Sequence, residues 1–542
     1  MTDRHPIVGP ALRQAFRWAF PWPFRWAFCQ TVRYPFCPAF CPPPRWILVL
    51  AVLIGWVGAR PEAGSAQVLT GVQLPVVEHE LANGMRWLVL PRAGPPTVSF
   101  IVKYGVGAVN EVRGQTGMAH LLEHLLFKGT ETLGTRDATA EHALFVVMDA
   151  LQDSILALEA RGDTAAIPEI RERIDSLENE AGAHVLPNEF ERVLSTNGAR
   201  SLNATTDWES TTYSVELPAN RAQLWFLLES DRMANPVFRE FYAERDIVAE
   251  ERRLRVETNP GGLLFEAHMA AAFTTHPYGQ PVVGYMADIQ RLRRPDVEAY
   301  FRRYYGPSNA VVTVVGDVDP DQILAWAEEY FGDLPASETP APVLLREPTQ
   351  TEERRVQVTF DAEPRVRIGW PVVETSHPDA PALTILSWLL TGGRTSRLYR
   401  RLVIEDRVAT AIYSSTGPGI QFPAIFTIDA TPRFPNSTDD VEAAVYAELD
   451  SLRRTPPSER EMQRIQNQLE AGEFRRLTSN LGLALQLAGS ASAFGDWRTT
   501  FGFTDRLAAV EPEDVLRVAQ RFFNRESRTV ATLVRPESGA GR

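Results

Sequence analysis

Lysine is nearly missing from this sequence: of 55 basic residues only Lys103 and Lys128 are lysine, and the rest are arginine. The acids number 68, and the resulting net charge of −13 excludes a nucleic-acid binder, because neutralising phosphates needs a basic face. Cysteine is as scarce. Cys29, Cys37 and Cys41 all fall near the start, so the rest of the chain can hold neither a disulfide framework nor a thiolate metal site. The apolar run from Trp46 to Gly58 is too short for a comfortable membrane span, and multispan membrane classes are excluded with it. What remains is ordinary globular composition, 44% hydrophobic and 23% charged over 542 residues, a length that asks for two or more domains.

Arg45 precedes that run and Ala63-Gly-Ser-Ala66 follows it, a charged flank and a small-residue exit that read as a secretory signal cleaved after Ala66. Residues 1–44, rich in Phe, Trp, Arg and Pro, resemble neither the start of a signal nor a domain. Removing 1–66 takes away seven Arg and two acids, so 55 − 7 = 48 bases face 68 − 2 = 66 acids. The expected product is an acidic exported protein, periplasmic or extracellular.

Val76 to Leu81 and Met85 to Leu90 are apolar-rich runs joined by Asn83-Gly84, the strongest short hairpin signal, and a third run spans Val98 to Tyr104. Gly117 to Phe127 reads as a buried helix. From Glu141 to Leu177 the apolar residues Leu144, Met148, Leu151, Ile155, Leu158 and then Ile167, Ile170, Ile174, Leu177 give two helical stripes, broken at Arg161-Gly162-Asp163.

An internal repeat then emerges. Asp296-Val297, Arg303-Tyr304-Tyr305 and Val311-Val312 match Asp514-Val515, Arg521-Phe522-Phe523 and Thr529-Val530 at an offset of 514 − 296 = 218. Gly117 to Leu126 lies best on Ala380 to Leu389 at an offset of 380 − 117 = 263, so the first copy is longer by 263 − 218 = 45 residues. The sequence therefore predicts an α+β chain of two homologous halves: 67–335, a Pro-rich linker at 336–345, and 346–542. A self-contained helical hairpin, about 141–187, is expected as an insertion in the first half.

His120-Leu-Leu-Glu123-His124 puts two imidazoles at i and i+4, on one helix face and close enough to share a metal, with Glu123 beside them. Zinc hydrolysis needs neutral nitrogen ligands and a carboxylate that can take a proton from water, and this H-x-x-E-H pattern supplies both. A third ligand must come from elsewhere. Glu244 and Glu251 stand seven apart on one helix face, so Glu251 can ligate while Glu244 supports; Glu250 competes, and all of these can equally be solvated glutamates.

At this point the chain resembles the insulinase or pitrilysin-type (M16) zinc metallopeptidases, which include the mitochondrial processing peptidases. The matching pieces are the Asn83-Gly84 hairpin, Gly117 to His124, Phe127-Lys-Gly-Thr130, Asn203-Ala-Thr205, Thr211-Thr-Tyr213, Glu244 to Glu251, Tyr304-Tyr305-Gly-Pro-Ser-Asn309 and Val315-Gly-Asp317. The resemblance implies two α/β sandwich halves of the LuxS/MPP-like metalloprotease fold and one zinc ion per chain. It implies His120, His124 and Glu251 as ligands, Glu123 as the general base and Glu244 as a supporting catalytic carboxylate. Asn203, Ala204 and Thr205 resemble the start of an edge strand that holds an extended peptide by main-chain hydrogen bonds.

In the second half Leu383 and Ser387 replace the two histidines, so that half holds no zinc. Active members also carry an Arg and a Tyr seven apart there, and the corresponding residues are Val403 and Thr410. The resemblance therefore implies the zinc-bearing member of a pair, a heterodimer with a homologous M16 subunit carrying that Arg and Tyr, or a homodimer. Arg407 or Tyr413 could also substitute. The expected function is a zinc-dependent endopeptidase acting on peptides or unfolded segments; the alternative is a non-catalytic scaffold or peptide-binding subunit of the same fold.

Overall fold

The computed structural model describes residues 74–536, so the signal segment and its cleavage point lie outside the described residues. Strands β1 (Val77–Glu80), β2 (Arg86–Pro91), β3 (Thr97–Tyr104), β4 (Arg200–Thr206), β5 (Thr211–Pro218) and β6 (Ala310–Gly316) make one sheet, ordered β1-β2-β6-β3-β5-β4. A second sheet contains β7 (Arg354–Thr359), β8 (Arg365–Val372), β9 (Ala409–Gly417), β10 (Ala424–Pro432) and β11 (Thr529–Val534), ordered β7-β11-β8-β10-β9. Without β1 the two orders correspond strand for strand. Each sheet has a single parallel pairing, β2 with β6 and β7 with β11, among antiparallel neighbours. The helix Arg294–Tyr304 leads to β6 as Pro512–Phe522 leads to β11, which is the structural form of the 218-residue repeat.

The additional strand β1 comes from the Asn83-Gly84 turn. Gly84 sits at φ 87°, open to glycine at little cost, and the Asn83 amide donates to the carbonyls of Phe331 and Leu334, tying the turn to the end of the helix Pro320–Phe331.

Strands β2 and β6 are apolar without alternation because both faces of the first sheet are covered. Trp87, Val89, Phe100, Val102, Val312 and Val314 face the helices of their own half. Leu88, Leu90, Ile101, Val311 and Val315 face the other way, against Leu483, Leu487 and Ala491 of the helix Asn480–Phe494, which belongs to the second half. The exchange is reciprocal. The helix Pro260–Ala272 of the first half lays Leu264 against Ala531 and Leu533 of β11, and its buried His268 pairs with the Thr529 carbonyl at 3.2 Å. Gly369 on β8 permits this approach, because a Cβ there would stand 2.6 Å from the His268 ring. The two exchanged helices start 480 − 260 = 220 residues apart, so they are the same element of the repeat.

Residues 335–353 carry neither helix nor strand. The helical pair of the first half spans Ala138–Arg161 and Ile167–Gly182, turned at Gly162 (φ 72°). It is not the self-contained hairpin that the repeat arithmetic suggests. Phe145, Met148, Ile155, Ile174 and Leu177 join the same apolar cluster as the strands of the first sheet, and Glu141 is fully buried against Arg239. Periodicity reveals an apolar stripe but not which neighbour covers it. Among the described residues no helix is long and apolar enough to cross a membrane.

Candidate metal centre

Two helices build the site. The first, Met118–Leu125, begins at Gly117 in the left-handed region (φ 86°), where an added Cβ would meet the Val283 carbonyl oxygen at 2.7 Å. Its first amides are satisfied from outside: the buried Glu111 carboxylate accepts from Gly117 N at 2.9 Å and from Ala119 N at 2.8 Å. The second, Phe241–Arg252, carries Glu244 and Glu251 and runs on as a π-helical turn over Arg253–Glu257.

These helices bring His120, His124 and Glu251 together, with one donor atom from each lying within 4.8 Å of the others. Glu251 Oε2 is 3.7 Å from His120 Nε2 and 3.6 Å from His124 Nε2. Ligands about 2.0–2.1 Å from a tetrahedral zinc stand about 3.3–3.5 Å apart, so both carboxylate–imidazole separations lie close to that geometry and the chemistry of the donor set suits the ion. Glu250 points elsewhere: it pairs with Arg253 on the exposed side of the helix. Replacing Glu251 by Gln should weaken zinc retention by at least about a hundredfold, more than the loss of an outer-shell partner. Glu250→Gln should leave it unchanged, and competition with a chromophoric chelator distinguishes the two.

Charge and burial together shift the two histidines in opposite directions. Burial, with the positive neighbours His124 and Arg255, pulls His120 down to about 3, so its ring is neutral and able to offer a nitrogen lone pair. Burial also pulls on His124, but the hydrogen bond and charge of Glu244 outweigh it and leave that ring above its ordinary value. Glu244 Oε2 lies 3.3 Å from His124 Nδ1, which places the proton on Nδ1 and turns Nε2 toward Glu251. Lys128, one of the two lysines, holds the other Glu244 oxygen at 2.5 Å and Glu240 at 3.0 Å. Although burial opposes it, the bonds from His124 and Lys128 keep the Glu244 carboxyl below the usual carboxylate range.

Glu123 is not among the three clustered donors. Burial raises its carboxyl, while one oxygen accepts from the Thr206 hydroxyl at 2.5 Å. Thr206 is the last residue of β4, and β4 is the edge of its sheet, so Asn203, Ala204 and Thr205 lie on an edge strand whose end is tied to Glu123. Sequence reasoning named the strand but missed Thr206, Lys128 and Glu111 as site supports. Lys128 was marked out by the scarcity of lysine and by its place in Phe127-Lys-Gly-Thr130, but neither gave it a role.

Among its described residues the second half presents no equivalent. Leu383 is buried, and Ser387 bonds to Ser414. Val403 packs on the second core, Thr410 bonds to the Thr431 carbonyl on β10, and Tyr413 is 65% exposed on β9.

A family model described as Insulinase (Peptidase family M16) matches residues 89–144 and 182–285, and one described as Peptidase M16 inactive domain matches 291–469. The chain belongs to the M16 peptidase family. This M16 chain is 26% identical over 506 residues to the zinc protease PqqE of Helicobacter pylori, with 91% of this chain and 98% of that protein covered. The crystal structure of a protease from Helicobacter pylori superposes with a TM-score of 0.72 at 25% identity, covering 85% of this chain and all of that one. The periplasmic protease PqqL from Escherichia coli shares the fold, with a TM-score of 0.64 at 17% identity over 85% of this chain and 48% of that one. The break in the M16 match, 145–181, falls on the helical pair.

Proposed function

We propose that this M16 chain is an exported zinc-dependent endopeptidase and the zinc-bearing member of a pair. The observation that carries the reading is the donor set itself: two neutral-capable imidazoles and one carboxylate converge, with a second carboxylate, Glu123, beside them. His120, His124 and Glu251 would hold the zinc, and Glu244 would fix the His124 tautomer. When bound, the zinc supplies Lewis-acid polarisation of water and of the scissile carbonyl. Glu123 would act as the general base that accepts the attacking water's proton and passes it to the leaving amine. Its raised pKa suits a group that must do both near neutral pH. The outer edge of β4 offers main-chain donors and acceptors to an extended peptide, which favours unfolded segments over folded surfaces. Export rests on the Trp46 to Gly58 segment of the sequence.

The non-catalytic or peptide-binding reading has one observation in its favour: Val403 and Thr410 stand where the Arg and Tyr pair belongs. Both readings are separated by one experiment. Purified protein from 67 onward should contain close to one zinc per chain by elemental analysis and should cut a quenched fluorescent peptide, alone slowly or with a partner. Protein that neither contains nor rebinds zinc overturns the peptidase reading; protein that holds zinc without turnover under any pairing supports the binding role.

A further inference from the structure

The helical pair Ala138–Arg161 and Ile167–Gly182 pairs Asp153 with Arg293 and Glu159 with Arg291, just ahead of the helix Arg294–Tyr304, and makes three further polar connections toward the structure that carries Glu244 and Glu251. Glu178 is the first. Its Oε1 accepts from the amides of Tyr242 at 3.1 Å and Ala243 at 3.2 Å, the second and third residues of the ligand helix Phe241–Arg252. That helix starts at Glu240 with φ 56°, and no side chain of its own segment caps it. A carboxylate from another helix thus meets two of its four unsatisfied donors and the positive end of its dipole. Second, Asp149 accepts from the Tyr242 hydroxyl at 3.3 Å and pairs with Arg294. Third, Glu141 is buried against Arg239, and Arg239 donates to the carbonyls of Lys128 and Thr130 at 2.7 Å each. Lys128 in turn grips Glu244.

Apolar contacts accompany these bonds. Phe145 and Met148 from the pair, with Phe241 and Tyr242 from the ligand helix, line a cavity between the two elements. Partial burial raises the Glu178 carboxyl, while the hydrogen bonds from the Ala243 and Tyr242 amides pull it the other way.

We infer that the inserted helical pair is a brace for the metal site, with Glu178 as a positioning residue that fixes the start of the ligand helix and through it the placement of Glu244 and Glu251. The inference rests on the zinc reading proposed above. In it the insertion is a part of the site's support rather than a decoration, which gives the 45 additional residues a task that the second half, lacking ligands, has no need of.

The test compares full-length wild type with Glu178→Ala, Glu178→Gln and, as a control on an exposed carboxylate of the same helix, Glu172→Ala. Two quantities are read: zinc affinity by chelator competition, and amide hydrogen exchange of residues 241–252 in the metal-free chain. Glu178→Ala should weaken zinc binding about tenfold, the scale of an outer-shell loss, and speed exchange at the start of the ligand helix. Glu178→Gln keeps an acceptor and should recover most of both, and Glu172→Ala should match wild type. In a cleavage assay the loss should appear in kcat more than in KM, because the edge strand β4 is untouched. Wild type that binds no zinc overturns the peptidase reading. Wild type that binds zinc while Glu178→Ala binds it equally well overturns the brace alone, and so does faster exchange in Glu178→Ala with unchanged affinity, since the cap would then serve the helix and not the site. If Glu178→Ala fails to fold, Glu178→Gln decides: an affinity equal to wild type with unchanged exchange supports the cap, and a tenfold loss despite the retained acceptor overturns it.

Discussion

Glu123→Gln is expected to lower peptide cleavage by at least about a thousand-fold while the protein keeps its zinc, within the usual span for removal of a general base. The amide occupies the same volume and its oxygen can still accept from the Thr206 hydroxyl, so the side chain should stay where the carboxylate is. What it loses is the ability to take a proton. His120, His124 and Glu251 are unaltered, so elemental analysis should return the wild-type metal content. Activity within tenfold of wild type would move the base elsewhere; loss of zinc with loss of activity would make Glu123 a support of the centre instead.

Partnership should produce the other large effect. Attack on a peptide carbonyl builds negative charge on oxygen, and a single missing donor to that charge typically costs about a hundred- to a thousand-fold in rate. Here Val403 is packed into the second core and Thr410 is bonded to its own sheet, so neither can donate as the absent Arg and Tyr would. Mixing the chain with a homologous M16 subunit that carries the pair should therefore raise cleavage of a quenched fluorescent peptide by at least about a hundredfold. Val403→Arg with Thr410→Tyr in the chain itself should recover part of that gain. Full activity from the isolated monomer, abolished by Arg407→Ala or Tyr413→Phe, would show that the donors have moved along the same segment and that no second subunit is needed.

The sequence was most legible where chemistry is local. His120, Glu123 and His124 share one helical turn, so their grouping could be read before any coordinates; the seven-residue spacing put Glu244 and Glu251 on one face, but only the family resemblance implied that this face meets the histidines. The repeat offset likewise foretold matching sheets, because a duplicated chain repeats its strand order along with its residues. What could not be read depends on contacts across long separations. Thr206 reaches Glu123 from 83 residues away and Glu178 caps a helix 64 residues on, and neither bond leaves a periodic trace. The helical pair shows the limit most clearly: its length marked it as additional, and additional was mistaken for separate. Its stripe of Met148, Ile155, Ile174 and Leu177 looks the same whether a hairpin closes on itself or lies on a core.

The reciprocal helices carry a further consequence. Each half, taken by itself, would leave one face of its sheet bare: Leu88, Leu90, Ile101, Val311 and Val315 in the first, Ala531 and Leu533 in the second. Such a half would be insoluble or would look for a twin. Two identical copies could each lend the other that one helix about a two-fold axis and so cover both faces at once, forming a closed, self-limiting dimer. The present chain has this arrangement within one polypeptide, its two halves joined covalently and free to diverge. One half carries His120 and His124 and the additional helical pair; the other has Leu383 and Ser387 at the matching positions and no such pair among its described residues. The symmetry survives in the strand order long after it has vanished from the chemistry.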